Sequence, residues 1–218
     1  MTKTEAVILA GGNSWRLRPQ TDIPKPLLPF GRQTLLDLQI KWLLKYNFDK
    51  VVITTTREVA EKVQLVDNKV YFSLEQEKLG TAGAVKRALL FLNNTYVYVF
   101  NVDDLVLQSN PVDLVEKARD RGSALLVSKP RLGFGRIQTR QDLAIRFQEK
   151  PILDFYVSCG HYAFRKDLIQ QFPDTGDLER EVLPKLASDR QLSIIRWKGR
   201  WDTVNTWKDY VQALQGII

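Results

Sequence analysis

The stretch AVILAGGNSWRLRP, residues 6–19, decides the fold class. It starts with a continuous apolar run, which is typical of a β-strand buried on both faces of a parallel sheet. Gly11 and Gly12 end the run, and glycine lets the backbone turn sharply and come close to a ligand. Arg16 and Arg18 follow, and one guanidinium group can donate hydrogen bonds to two phosphate oxygens at once. The stretch therefore predicts a first strand that leads into an anion-binding loop at the carboxyl edge of a sheet.

The rest of the first half alternates short β-branched or aromatic runs with segments of helical periodicity. The runs predict strands at 51–56, 70–75, 96–102 and 124–129. The periodic segments predict helices that begin at Thr34, at Arg57 (reaching Gln64), at Thr81 (reaching Asn93) and at Pro111. Strands that alternate with helices in this way predict a parallel sheet with right-handed crossovers and helices on both faces.

The pattern changes after Pro130. Two short runs separated by residues 139–142 predict a β-hairpin. Further strands are expected at 157–164 and 192–197, and further helices at 166–171, 177–183 and 205–215. We expect the strands of the second half to join the same sheet. The predicted fold is α/β: a single Rossmann-like, doubly wound, mostly parallel mixed sheet flanked by helices, with extra hairpin strands in the second half.

The composition excludes several kinds of site. With one cysteine, Cys159, and one histidine, His161, the 218 residues hold no disulfide framework and no cysteine-rich or multi-histidine metal site. Catalysis would therefore use carboxylates, lysine, arginine and backbone amides. The net charge of +7 suits small anionic ligands. The lysines and arginines are spread along the chain, which argues against nucleic-acid binding.

A proline-rich segment, IPKPLLP at 23–29, follows the loop. Proline fixes its own φ and restricts the residue before it, so the segment is rigid and extended and holds Lys25 in one place. The loop itself matches neither the Walker pattern GxxxxGK[ST] nor GxGxxG. A glycine pair, two arginines and a fixed lysine nevertheless indicate a site for phosphate groups.

The loop, with LAGG at 9–12 and RLRP at 16–19, and PKPLLP at 24–29 resemble the signature of the sugar-1-phosphate nucleotidyltransferases. Further motifs follow in the family's order over nearly the whole chain: LGTAGAV at 79–85, FNVDD at 100–104, FGRI at 134–137, FQEKP at 147–151, CGHYAF at 159–164 and WDTVNTW at 201–207. Two positions depart from the family pattern, since Ser14 replaces a third glycine and Trp15 replaces a small polar residue.

The resemblance implies a fold of the nucleotide-diphospho-sugar transferase type and a reaction in which NTP and a sugar 1-phosphate give NDP-sugar and pyrophosphate. It implies that Arg16 stabilises the leaving pyrophosphate. It also implies that Lys25 contacts the α-phosphate and the sugar phosphate, and that Lys150 holds the sugar phosphate. Such a reaction depends on positioning and electrostatic stabilisation, without a covalent protein intermediate.

The resemblance further implies Mg²⁺ as cofactor, with Asp103 and Asp202 as its ligands. Asp103 follows the strand predicted at 96–102, and Asp202 lies about 100 residues later. Carboxylate oxygens are the hard ligands that Mg²⁺ prefers. Asp104 remains an alternative to Asp103, because Val102 replaces the glycine that usually sets the spacing.

The resemblance places the nucleotide at Leu9, Ala10, Gly11, Gly12, Glu75 and Gly80, and the sugar at Gly135, Glu149 and Gly160. A carboxylate such as Glu75 accepts two hydrogen bonds, and guanine offers two adjacent donors where uracil and thymine offer one. Residues 73–85 also resemble the mannose-1-phosphate guanylyltransferase branch, so guanylyl transfer to mannose 1-phosphate is favoured. The alternatives are uridylyl or thymidylyl transfer to glucose 1-phosphate, cytidylyl transfer, and a nucleotide-sugar-binding homologue with little turnover.

The motifs extend from Leu9 to Trp207, so we expect residues 1–218 to form one catalytic domain without the C-terminal β-helix of many relatives. The expected partners are NTP and the sugar 1-phosphate, with no nucleic acid and no membrane; a homo-oligomer stays open. No apolar run has the roughly 18 residues of a membrane span, and the first run is too short for a signal-peptide core. The expected location is the cytoplasm.

Overall fold

A seven-stranded sheet lies at the centre of the structure, a computed structural model that describes residues 4–12, 14–65 and 67–217. The strands are β1 (Thr4–Leu9), β2 (Pro29–Phe30), β3 (Gln33–Thr34), β4 (Phe48–Thr55), β5 (Val70–Leu74), β6 (Tyr96–Asn101), β7 (Asp104–Leu105), β8 (Ser123–Ser128), β9 (Arg136–Arg140), β10 (Leu143–Gln148), β11 (Val157–Arg165), β12 (Leu192–Arg196) and β13 (Asp202–Thr203). The α-helices are α1 (Leu35–Leu44), α2 (Arg57–Ala60), α3 (Gly80–Ala88), α4 (Pro111–Ala118), α5 (Lys166–Gln170), α6 (Leu183–Ser188) and α7 (Trp207–Ile217).

The strand order of the central sheet is β12-β8-β11-β6-β1-β4-β5. β1 runs parallel to both of its neighbours, β4 and β6, and the outer strands β5 and β12 are parallel to theirs. β11 is antiparallel to β6 and to β8. The predicted mostly parallel mixed sheet is confirmed, and the carboxyl ends of β1 and β6 lie side by side.

Helices cover both faces of this sheet. Ala6 and Ile8 of β1 belong to a core that includes residues of α1, α4 and α7. Val7 and Leu9 belong to a second core with residues of α3 and α5. Because successive side chains of a strand point to opposite faces, the continuous apolar run of β1 is buried on both sides, as the sequence predicted.

Helix α1 begins where the sequence predicted and positions the loop after β6. The Thr34 hydroxyl accepts the Asp37 N–H at 3.1 Å, and the Asp37 carboxylate accepts the Thr34 N–H at 3.0 Å. This capping box satisfies amides at the helix start that have no intrahelical partner. One turn later the buried Gln39 amide donates to the carbonyl oxygens of Val102 and Asp104, at 3.1 and 2.9 Å. The backbone around Asp103 is thereby fixed to α1.

Of the strands in the second half, β11 and β12 join the central sheet as expected, but the predicted hairpin does not. β9 and β10 pair with each other as a separate two-stranded sheet. Every residue of both strands is exposed, so neither strand has a buried face with which to pack on the core. Backbone hydrogen bonds at the hairpin base join Leu132 to Pro151 and Leu153 to Pro130, which directs the hairpin away from the sheet.

Three helical segments differ in extent from the prediction. α2 ends at Ala60, and the helix expected to reach residue 93 ends as α3 at Ala88 before a 3₁₀ turn. The segment at 177–183 forms a π-helix, Leu178–Val182, which continues into α6. In the described part of the chain, no helix is long and apolar enough to cross a bilayer.

Candidate functional site

A cleft of about 530 Å³ opens at the carboxyl ends of β1 and β6. Ligands of open α/β sheets bind at this edge. The cleft joins the glycine-rich loop, the proline-rich segment, the loop after β6 and part of β11. Its lining includes the predicted residues Leu9, Gly11, Gly12, Arg16, Lys25, Asp103 and Gly160.

The glycine-rich loop is held by Ser14 rather than by a third glycine. Ser14 adopts the left-handed conformation, with φ at 49° and ψ at 26°, which is unfavourable for a residue with a Cβ. Its hydroxyl accepts the Lys25 N–H at 3.0 Å and so ties the loop to the proline-rich segment. The 3₁₀ turn Trp15–Leu17 follows, with Leu17 buried and Arg16 lining the cleft.

Trp15 lies outside this cleft. Its side chain is 65% exposed, and the Arg18 guanidinium lies 4.8 Å from the centre of its ring. Arg18 also forms an ion pair with Asp22 at 3.4 Å. The tryptophan that departs from the family pattern therefore stacks with Arg18 on the outer side of the loop, and Arg18 shapes the loop rather than the cleft.

Lys25 and Asp103 form the central charged pair of the cleft. The Lys25 Nζ lies 2.6 Å from the Asp103 Oδ2, and the two side chains are 16% and 20% exposed. Partial burial makes the attraction between them stronger than on an open surface. Both groups still reach the cleft, so the lysine can contact an anion and the carboxylate can contact a cation.

Asp104 is buried beside this pair. Its carboxylate accepts hydrogen bonds from the Asn101 amide and the Trp201 indole N–H, each at 3.1 Å. Burial, and then the neighbouring Asp103 carboxylate, raise the pKa of Asp104 to about 7. Gly160 lies so close that a Cβ there would overlap this carboxylate. Asp104 therefore holds the wall of the cleft together, and Asp103 is the carboxylate that is open to a ligand.

Asp202, the predicted second metal ligand, does not line this cleft. Its carboxylate pairs with Arg200 and lies in a second cleft, of about 960 Å³. Asp202 and Thr203 are consecutive residues of β13, so their side chains point to opposite sides. Thr203 lies opposite Asp104 in the β7–β13 pair and lines the first cleft. The structure therefore does not bring the two predicted metal carboxylates together.

The predicted two-carboxylate magnesium site does not fit this arrangement. Among the described residues, no three His, Cys, Asp or Glu side chains are grouped so that they could hold a metal ion. Asp103 offers an accessible carboxylate, and the oxygens of Asp104 are already hydrogen-bonded. Thr203 offers a neutral hydroxyl at the place where a second charged ligand was expected.

A smaller pocket, of about 300 Å³, adjoins the cleft and contains the predicted nucleotide residues Leu9, Gly11, Gly12, Glu75 and Gly80. The Glu75 carboxylate lies beside Gly11, where a Cβ would come within 3.4 Å of it. Burial raises the pKa of Glu75, and the Leu79 amide opposes this effect.

Ala10 differs from the other predicted nucleotide residues. Its N–H donates to the Thr54 carbonyl at 2.9 Å, and its carbonyl accepts the Thr55 hydroxyl at 3.0 Å. Both backbone groups of Ala10 therefore have hydrogen-bond partners in β4. Ala10 anchors the start of the loop to the sheet and does not offer these groups to a ligand.

Three predicted sugar-phosphate and sugar residues lie at the hairpin, outside the cleft. Gly135 precedes β9, and Glu149 and Lys150 follow β10. The Lys150 Nζ lies 3.8 Å from the Glu149 carboxylate, and both side chains are exposed. Phe147 covers Gly135, where a Cβ would overlap its ring. Gly160 alone of the predicted sugar residues lines the cleft in the described structure.

The structure adds Glu179 to the cleft, a residue outside the sequence motifs, and brings it against Tyr162 and Thr81, which lie within them. The Tyr162 hydroxyl donates to Glu179 at 2.8 Å, and the Thr81 hydroxyl donates to the same carboxylate at 3.3 Å. Burial raises the pKa of Tyr162, so its hydroxyl remains a donor. Glu179 lies in the π-helix Leu178–Val182 and lines the cleft. No local sequence pattern indicates that this charged segment packs against the end of the cleft.

Comparisons with known proteins agree on the family. The family model described as "Nucleotidyl transferase" matches residues 5–218 of this chain. A mannose-1-phosphate guanyltransferase beta-A of Xenopus laevis is 29% identical over 231 residues, which cover 96% of this chain. The match covers 63% of that relative, so this chain spans less than two thirds of its length.

A second relative has a more similar length. A D-glycero-alpha-D-manno-heptose 1-phosphate guanylyltransferase of Campylobacter jejuni is 31% identical over 179 residues, or 77% of this chain and 79% of the relative. The crystal structure of HddC from Yersinia pseudotuberculosis superposes with a TM-score of 0.76 at 22% identity, covering 99% of this chain and all of that one. The structural match supports the fold.

Proposed function

Because the chain belongs to the nucleotidyl transferase family, we propose that it transfers a nucleotidyl group from an NTP to a sugar 1-phosphate and releases pyrophosphate. The observation that carries this proposal is the cleft in which Arg16, Lys25 and the glycine loop meet at the carboxyl ends of β1 and β6. Two cations and a glycine turn at this edge suit a triphosphate.

Different residues of the cleft are proposed to stabilise different charged groups during the reaction. A phosphate oxygen of the sugar attacks the α-phosphorus, and the P–O bond to the leaving pyrophosphate breaks. Lys25 contacts the α-phosphate, where its ammonium stabilises the charge of the transition state. Arg16 binds the departing pyrophosphate through its guanidinium fork. Asp103 holds the Lys25 ammonium in position at 2.6 Å.

Guanine is the base that the smaller pocket favours. Glu75 lies beside Gly11 in the wall of a pocket of about 300 Å³, and its carboxylate can accept the two neighbouring N–H groups of guanine. The relatives described above are guanyl transfer enzymes by name. We therefore propose GTP as the nucleotide and mannose 1-phosphate, or a closely related 1-phosphate, as the acceptor.

The sugar 1-phosphate is proposed to bind between the cleft and the hairpin. Gly160 provides the wall on the β11 side. Glu149, by accepting hydrogen bonds from sugar hydroxyls, and Lys150, by binding the sugar phosphate, approach from the hairpin base. In the described structure these two side chains contact each other, so substrate would replace that contact.

The metal belongs to this proposal as well. Mg²⁺ would supply positive charge to the phosphate groups, and Asp103 is the residue that offers it an accessible carboxylate. Asp202, the second predicted ligand, pairs with Arg200 and does not line the cleft.

Measuring pyrophosphate release tests the proposed function. The four common NTPs are combined with mannose 1-phosphate, heptose 1-phosphate and glucose 1-phosphate. The proposal predicts the highest kcat/KM for GTP with a manno-configured sugar. Release that is highest with UTP, dTTP or CTP supports the alternative base. Micromolar nucleotide binding without release from any pair supports a binding homologue instead.

A further inference from the structure

The short strand β13 determines which of its side chains lines the cleft that also contains Asp103. Thr203 lines the cleft and lies opposite Asp104 in the strand pair. Asp202, its neighbour in sequence, lies on the other side of the strand and pairs with Arg200. The Val204 N–H donates to the Asp103 carbonyl at 2.9 Å and fixes this register.

We propose that the free protein holds a divalent cation only weakly, and that Asp103 retains the cation together with nucleotide phosphates. The proposal deepens the proposed function and relies on it for the nucleotide. Its basis is that the β13 side chain lining the cleft together with Asp103 is the neutral Thr203 hydroxyl, and not the Asp202 carboxylate. Affinity for hard divalent cations depends on the number and charge of oxygen ligands, so a hydroxyl in place of a carboxylate lowers it.

The remaining oxygens of the cleft do not replace the missing charge. The Thr203 hydroxyl accepts a hydrogen bond from the Asn205 amide at 2.9 Å and is hydrogen-bonded to Asp104. The Asp104 oxygens accept the Asn101 and Trp201 donors. Asp103 itself is partly neutralised by Lys25. Phosphate oxygens of a bound nucleotide would supply the further negative ligands.

Mn²⁺ titrations, followed by the electron paramagnetic resonance of the free ion, test the proposal. Wild type and Asp202→Asn are expected to bind Mn²⁺ alone with a Kd above about 1 mM. Thr203→Asp is expected to bind it at least tenfold more tightly. With α,β-methylene-GTP present, Mn²⁺ is expected to co-elute with the wild-type protein on gel filtration and not with Asp103→Asn, which gives a second test if Thr203→Asp does not fold.

Tight binding of Mn²⁺ to the free wild type, lost in Asp202→Asn, would overturn the proposal. So would a Thr203→Asp protein that folds normally and binds Mn²⁺ no better than wild type. The comparison of free proteins uses no nucleotide. If α,β-methylene-GTP binds to none of the variants, the proposed function fails, while the free-protein titrations still show which residue at β13 governs the ion.

Discussion

Single residues of the cleft are each held by a specific neighbour. Lys25 is fixed at its amide by the Ser14 hydroxyl and at its ammonium by Asp103. The sequence predicted Lys25 and Asp103 from motifs alone, because prolines and a strand end fix their places. It did not predict that Thr203, rather than Asp202, lines the cleft with them, because the face of a two-residue strand depends on tertiary pairing.

The Lys25 ammonium should be essential for turnover. Lys25→Ala removes the cation at the α-phosphate and leaves Asp103 without its partner. We expect kcat/KM for pyrophosphate release to fall by about 10²–10³-fold. Arg18→Ala, which removes a nearby exposed cation that stacks on Trp15, should change it by less than about threefold. Equal losses in the two variants would contradict the assigned role of Lys25.

Glu75 should determine the choice of base. Glu75→Gln keeps an amide oxygen but loses the charge and one acceptor. A hydrogen bond to a charged group contributes about 1.5–3 kcal/mol, so kcat/KM with GTP should fall by about 10–100-fold. The value with UTP should change little, so the ratio of the two rates is the measurement. An unchanged GTP to UTP ratio would place the base elsewhere.

His161 should give stability a pH dependence of known sign. It is buried, accepts the Tyr98 hydroxyl at 2.6 Å, and its other nitrogen donates to the Asp104 carbonyl at 3.0 Å. Burial lowers its pKa from 6.5 to about 3. Below pH 6.5 the unfolded chain binds a proton that the folded protein does not, so the contribution of neutral His161 to stability is lost as the pH falls from 6.5 toward 3.

Urea unfolding at pH 7.5 and pH 5 measures this effect. His161 is the one histidine in the sequence, so wild type should lose about 1–2 kcal/mol more than His161→Phe between the two pH values. The variant should be less stable at both, because Tyr98 and Asp104 lose a partner. Equal pH dependence of the two proteins would mean that His161 is not neutral in the fold.

Elements are predicted well where a local pattern determines them. The strands of the central sheet follow from their apolar runs, and α1 follows from the capping box at Thr34. The hairpin also follows from its local pattern. Its separation from the central sheet and the π-helix Leu178–Val182 have no local signal, because each depends on the surface that it does or does not pack against. Glu149 and Lys150 were placed in the site by motif, and the hairpin carries them away from the cleft.

Close packing of α3 makes Gly83 essential to its element. A Cβ at Gly83 would overlap the Asp174 carbonyl. Gly83→Ala should therefore destabilise the protein by about 1–3 kcal/mol, although alanine favours an exposed helix by about 1 kcal/mol. Gly133→Ala, at a position with open space around it, is the matched control and should be neutral in urea unfolding. A stable Gly83→Ala protein would contradict the close approach of α3 and Asp174.

At the scale of the molecule, the sheet order brings the functional segments together. The glycine loop, the proline-rich segment and the loop after β6 lie far apart in sequence and meet because β1 and β6 are parallel neighbours. That convergence follows from the βαβ pattern, which is why most of the cleft could be predicted. Contacts made by β13, the hairpin and the π-helix depend on the complete fold, and there the prediction was incomplete or wrong.

Mass spectrometry of the product tests the central claim most directly. The protein is incubated with GTP, mannose 1-phosphate and Mg²⁺, with Lys25→Ala as the control. The account predicts that GDP-mannose forms in equal amount with pyrophosphate, and that Lys25→Ala reduces both by about 10²-fold or more. No NDP-sugar from wild type with any of the four NTPs, or the same yield from Lys25→Ala, would contradict it.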